Sequence, residues 1–186
     1  MTVTAMTPTH GGPWTEEEFL ALGEDNERTE LFDGDLHMTA SPTPWHQHVT
    51  TELLVALRAP VRARDLRIHA AVNLRLTPAR IVIPDLTITT AIDFEQRIVP
   101  GSCARLVCEV TSPSNAATDL VLKMHYYAEA GIPWYLIVEH KAMTLRLLQL
   151  QRGTYVEHLT AEPGGVLRMS EPVTAEIRPE SLLPEH

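Results

Sequence analysis

Residues 104–135, ARLVCEVTSPSNAATDLVLKMHYYAEAGIPWY, limit the possible folds more than any other stretch of the chain. Leu106, Cys108 and Val110 alternate to one face while Val107 and Glu109 take the other, which is the period of two of a β-strand. SPSN then offers a turn, with Ser112 or Ser114 as helix N-cap. An amphipathic helix from about Asn115 stops at Gly131, a usual C-cap residue, with Pro133 just beyond. A second apolar run, WYLIV, follows. Strand, helix and strand at this spacing predict a βαβ-like crossover. Glu109 falls at the end of the first strand, where α/β folds tend to place chemistry. A carboxylate inside such a run is costly to bury without a partner or a metal.

The remaining chain predicts a mixed set of elements around that unit. Thr15 ahead of Glu16, Glu17 and Glu18 reads as a capping box opening a short helix. ERTELFDGDLHMT reads as a β-hairpin turning at Asp33-Gly34. In its first arm Glu30 shares a face with Phe32, so it either points inward beside the aromatic or stands as an exposed strand carboxylate. Val49, Leu53, Leu54 and Leu57 recur at helical spacing and predict a helix ending at Pro60. LRIHA, VNLRL and RIVIPDLTIT follow as strands, and the last must lie at an edge or change course at Pro84, which has no N–H for a ladder. Residues 91–102 read as a loop. WYLIVEH, MTLRLLQLQ and TYVEHLT are successive strands, the last two joined at Arg152-Gly153, and VLRMS and VTAEI are expected to complete the sheet.

Composition narrows the class. At 186 residues, 44% hydrophobic and 21% charged, the chain suits one soluble globular domain. That domain is expected over 14–178, between a disordered N-terminus at 1–13 and a loose tail at 179–186. No run approaches the ~18 apolar residues of a membrane helix, and no basic-then-apolar leader opens the chain, so a cytoplasmic protein is expected. Cys103 and Cys108, roughly 16 Å apart in one extended strand, cannot form a disulfide and are expected as core thiols. A net charge of −9 argues against a general nucleic-acid binder. Locally, Arg58, Arg62, Arg64 and Arg67 cluster in RAPVRARDLR, either as a solvated helix end or as a phosphate-contacting patch.

Three ionisable groups are not demanded by their context: Asp85 at the break in an apolar strand, Glu109, and Lys123, with Lys141 one of only two lysines against thirteen arginines. Two carboxylates at the ends of neighbouring strands can share a hard divalent cation, leaving its other positions to water and phosphate. A nearby ammonium would position water or stabilise developing charge. The competing reading of Lys123 is a helix-surface ion pair with Asp119, four residues earlier, worth ~0.3 kcal/mol. His46 and His48, two apart, read as surface or packing residues. No GxSxG, P-loop, HExxH or GxGxxG motif is present.

In order along the chain, ELFDGDL, SPTPWHQ, IVIPDL, CEVTSPSN and DLVLKMHYYAEAGIPWYLIV resemble the Uma-type putative restriction endonuclease family, within the PD-(D/E)XK nuclease superfamily, from about Glu27 to Val138. Each motif is short, but five in the right order make the likeness specific. The resemblance implies an α/β, restriction-endonuclease-like fold, a mixed central sheet flanked by helices. It implies Mg²⁺- or Mn²⁺-dependent hydrolysis of DNA phosphodiesters, with Asp85 and Glu109 as metal ligands and Lys123 completing a catalytic set. Position 111, where the superfamily carries lysine, is Thr, and Lys123 on the next helix matches the Uma-type pattern instead. Glu30 and His46 match positions that line the same cleft, and Tyr127 matches a packing position. Leu136 stands where Trp is common. A family likeness does not make every member active, so a catalytically silent module of the same fold, binding nucleic acid or a protein, is the alternative. A homodimer would suit cutting both strands of a duplex.

Overall fold

A computed structural model describes residues 11–23, 28–39, 41–111 and 117–184, without the side chains of 117–119. Local rules account for most elements. Helix α1 (Glu16–Ala21) opens on the reciprocal Thr15–Glu18 capping box. Strands β1 (Thr29–Phe32) and β2 (Asp35–Met38) form the expected hairpin. Its turn puts Asp33 at φ 54° and Gly34 at φ 90°, as a type I′ turn requires. A Cβ on Gly34 would lie 2.6 Å from that of Pro13, so the turn also needs glycine for space.

Helix α2 (Pro44–Ala63) is capped by Thr43, with Pro44 in its first turn. It runs one turn past Pro60, where the sequence predicted its end. Pro60 removes one donor, but Val61 is fully buried with Val49, Leu53 and Leu57, and that packing carries the helix on. Burying these four side chains is worth roughly 6–12 kcal/mol before entropy.

Strands β3 (Arg67–Ala70), β4 (Leu74–Thr77), β5 (Arg80–Val82) and β6 (Leu86–Thr89) follow. The loop expected at 91–102 holds a two-residue strand, β7 (Val99–Pro100), paired in parallel with β4, and a 3-10 turn at Gly101–Cys103. Next come β8 (Ala104–Val110), α3 (described from Ala117 to Glu129), β9 (Trp134–Glu139), β10 (Thr144–Gln151) and β11 (Thr154–Ala161). The predicted N-cap of α3 at Ser112 or Ser114, and its start near Asn115, lie outside the described residues. Its C-terminus closes as predicted: Gly131 adopts φ 73°, while the Gly131 and Ile132 amides bond back to Ala128 and Tyr127.

The main sheet is six-stranded and mixed, ordered β11-β10-β9-β8-β6-β3, with β8 and β9 parallel on either side of α3. A second sheet, β2-β1-β5-β4-β7, packs on it. The sequence suggested one central sheet; two form because the chain changes course at Pro84, so β5 joins one and β6 the other. Helix α2 covers one face of the main sheet through Leu106, Cys108, Val110, Leu136 and Val138. On the opposite face α3 and the second sheet meet around Val107, Tyr127, Tyr135 and Ile137. Helix α1 covers the outer face of the second sheet through Phe19, Leu31 and Ile81, so β1 is buried on both sides.

Strands β12 (Leu167–Met169) and β13 (Ala175–Ile177) do not complete the main sheet as expected. They form a separate two-stranded ribbon whose Leu167, Met169, Ala175 and Ile177 pack into the α2 core. The segment from 179, expected as a loose tail, starts with a 3-10 turn, Pro179–Leu182, held down by buried Leu182. Cys103 and Cys108 are both free thiols; Cys108 is buried, Cys103 half-buried. No helix among the described residues is long and apolar enough to cross a membrane.

Candidate active site

The site is built where the two sheets separate. Pro84 interrupts the ladder, and the freed backbone groups find other partners. The Ile83 amide donates to Glu30 Oε1 at 2.7 Å, and the Ala71 amide donates to the Asp85 carbonyl at 3.2 Å. Asp85 therefore emerges at the break, one residue before β6. The β6–β8 register pairs Leu86 with Cys108, which sets Asp85 beside the Glu109 end of β8. Its Oδ2 accepts the Val110 amide at 2.8 Å. Its Oδ1 receives His46 Nε2 at 2.9 Å and Arg28 Nη2 at 3.4 Å. Burial alone would raise the Asp85 carboxyl, but the His46 hydrogen bond and charge, the Val110 amide and the Lys123 ammonium outweigh it and hold it below its usual value.

Glu109 points to the other side of β8 from Cys108, toward α3. Its Oε1 accepts the Tyr127 hydroxyl at 2.6 Å and lies 3.4 Å from Lys123 Nζ. Lys123 is 5% exposed and also pairs with Glu30 Oε1 at 2.9 Å. It is thus turned inward rather than spread along the helix surface; the side chain of Asp119 lies outside the described residues. Glu30, 2% exposed, points inward, accepting the Ile83 amide and Thr39 Oγ1 besides Lys123. Burial is the main reason the Glu109 carboxyl is pushed up to about 8. Lys123 opposes that rise, Asp85 and Glu30 add to it, and the Tyr127 hydroxyl opposes it.

Asp85, Glu109, Lys123, Glu30 and His46 therefore stand together around one break in the sheet. The four arginines do not join them. Along α2 at 1.5 Å per residue, Arg58 and Arg62 stand about 18 and 24 Å from His46. Arg64 bonds the Ser170 carbonyl and pairs with Glu171, while Arg67 pairs with Asp65. Two residues were missed. Tyr127, read as packing, bonds Glu109 directly. Arg28, unremarked in the sequence, reaches Asp85; no sequence signal marks it, because it stands one residue before β1 with a left-handed backbone at φ 61°, outside the strand's alternation.

The donors suit a hard cation: two carboxylates on adjacent strands, with Glu109 Oε2 receiving no hydrogen bond among the described residues. Among those residues no group of three or more His, Cys, Asp and Glu is placed to hold a metal by itself, so water and substrate oxygens would have to supply the other positions. A divalent ion would also offset the burial that pushes the Glu109 carboxyl up.

Residues 16–180 match the family model described as Uma2, putative restriction endonuclease. The chain belongs to the Uma2 family. The crystal structure of a putative nuclease belonging to DUF820 from Anabaena variabilis ATCC 29413 superposes on this Uma2 chain with a TM-score of 0.69 at 16% identity, over 91% of this chain and 97% of that one. That likeness shows the fold, the nuclease-like α/β architecture anticipated from the motifs. A DrdV–DNA complex solved by cryo-electron microscopy matches 63% of this chain and 12% of that chain at 13% identity, and its TM-score of 0.33 is too low to support an argument. No curated protein sequence matches this Uma2 chain.

Proposed function

We propose that this Uma2 chain is a Mg²⁺- or Mn²⁺-dependent endonuclease hydrolysing DNA phosphodiester bonds. The carrying observation is the convergence of Asp85, Glu109 and Lys123 from a sheet break, a strand end and the crossover helix. Asp85 and Glu109 would hold the cation. Such an ion, when bound, supplies charge neutralisation at a phosphoryl oxygen and a more acidic water. The protein does the rest. Lys123, fixed between Glu30 and Glu109, offers a proton donor for orienting water or for charge developing on the phosphate. Tyr127 and the β8 backbone hold Glu109 in place, and the Val110 amide fixes Asp85.

The second reading is a silent module of the same fold that binds DNA or a protein. It is favoured by one observation: both carboxylates are already engaged, Asp85 by His46 and Arg28 and Glu109 by Lys123 and Tyr127. Nicking of supercoiled plasmid in Mg²⁺ or Mn²⁺ separates the two readings. The enzyme reading requires metal-dependent nicking, stopped by EDTA and lost in Asp85→Asn and Glu109→Gln. Absence of divalent-ion binding, together with no nicking of any DNA substrate, would support the module.

A further inference from the structure

Beside Asp85 lies an open cleft of about 360 Å³, lined by Arg28, His46, Gln47, Thr50 and Ala71 among others. Among the described residues that line it Arg28 carries the one guanidinium, and its surroundings are unusual for an arginine. Its backbone is in the left-handed region at φ 61°, a conformation uncommon for a side-chain-bearing residue, held in part by the Thr39 amide on the Arg28 carbonyl at 3.0 Å. Among the described residues its buried Nε has no hydrogen-bond partner, and its one polar side-chain contact is the 3.4 Å approach of Nη2 to Asp85. A guanidinium carries five N–H donors in a planar fork suited to phosphate. Among the described residues only the Nη2 approach to Asp85 uses that capacity, and the side chain borders the cleft.

We propose that Arg28 is a placeholder cation: it neutralises Asp85 while no metal is bound, and turns to a phosphate of the DNA strand once a divalent ion takes Asp85. This deepens the reading above, on which it rests. The same oxygen, Asp85 Oδ1, receives both Arg28 and His46, so a cation arriving there competes with them for its lone pairs. Once the carboxylate is neutralised by an ion, Arg28 loses its attraction to it. The nearest anion able to satisfy the fork is then a substrate phosphate lying along the Gln47 and Thr50 side of the cleft. Arg28 would thereby couple metal loading to strand capture, and its two roles carry opposite signs for a variant.

The test uses Arg28→Met, which keeps the stem but drops the charge, and Arg28→Lys, which keeps the charge but drops the fork, each checked for a native thermal transition. Mn²⁺ binding is measured on the protein alone, and binding of a short DNA duplex is measured in Ca²⁺ across a salt series. Arg28→Met should bind Mn²⁺ about two- to fivefold more tightly, as expected for losing a competing part-exposed ion pair. It should bind duplex roughly tenfold or more weakly, with the salt slope reduced by about 0.9. Arg28→Lys should stay near wild type for Mn²⁺ yet lose duplex affinity, because the fork is gone. Unchanged or weaker Mn²⁺ binding in Arg28→Met, or unchanged duplex binding, overturns the proposal while leaving the enzyme reading intact. Absence of Mn²⁺ binding in wild type overturns both.

Discussion

Glu109→Gln is the most informative single change, because it removes the charge while keeping the shape and an acceptor for the Tyr127 hydroxyl. The folded carboxyl titrates at about 8 against a reference of 4.5. The folded-state value is raised, so between those limits the folded chain holds a proton that the unfolded chain has released, and stability falls as pH rises through the window. At 1.36 kcal/mol per unit, wild type loses about 4 kcal/mol from this group between about pH 5 and pH 9. Asp85 has the opposite sign: its folded value is lowered, so its contribution is present throughout that range and is lost only in stronger acid. The amide of the Glu109→Gln variant cannot titrate. In EDTA, urea unfolding followed by tryptophan fluorescence should therefore show the variant gaining on wild type by about 4 kcal/mol across the range, while shared groups such as His69 cancel in the difference. A gain of less than about 1 kcal/mol would refute the burial argument for Glu109. The same substitution should abolish nicking, so stability and activity would move in opposite directions, as they do where a site is electrostatically strained.

Lys123→Met leaves Glu30 and Glu109 without their shared ammonium and should destabilise by about 3–5 kcal/mol; adding Glu30→Gln should recover part of that stability but none of the nicking. Tyr127→Phe removes the 2.6 Å hydrogen bond to Glu109 and should cost about 1–3 kcal/mol in urea unfolding, more above pH 8 than below pH 6, where the carboxyl is neutral. Thr15→Ala should cost about 1 kcal/mol through the capping box and leave nicking unchanged, which separates stability from chemistry. Arg58→Ala combined with Arg62→Ala should leave nicking of a short duplex within about twofold, because both stand far along α2 from Asp85; a large loss would show that the duplex extends to that end of the helix.

Much of this architecture is local and could be read from the chain directly. Alternation over 104–110 determines which face carries Glu109, and Asp33-Gly34 and Arg152-Gly153 determine two hairpins, since few residue pairs accept left-handed backbone at both positions. Thr15 and Gly131 mark helix ends because capping is settled within four or five residues. Pro84 announced a break, since no proline can donate to a ladder. Only the tertiary structure decided what that break does. It sends β5 and β6 into different sheets and leaves the Ile83 amide to Glu30 across a separation of 53 residues. Tertiary packing also decided that Lys123 turns inward between two carboxylates, that Tyr127 is a partner rather than filler, and that Arg28 meets Asp85 from 57 residues away. The physical reason is the same in each case. Backbone preference depends on neighbours in sequence, whereas the burial of a charge, and the partner that makes it tolerable, depends on which distant segments cover it.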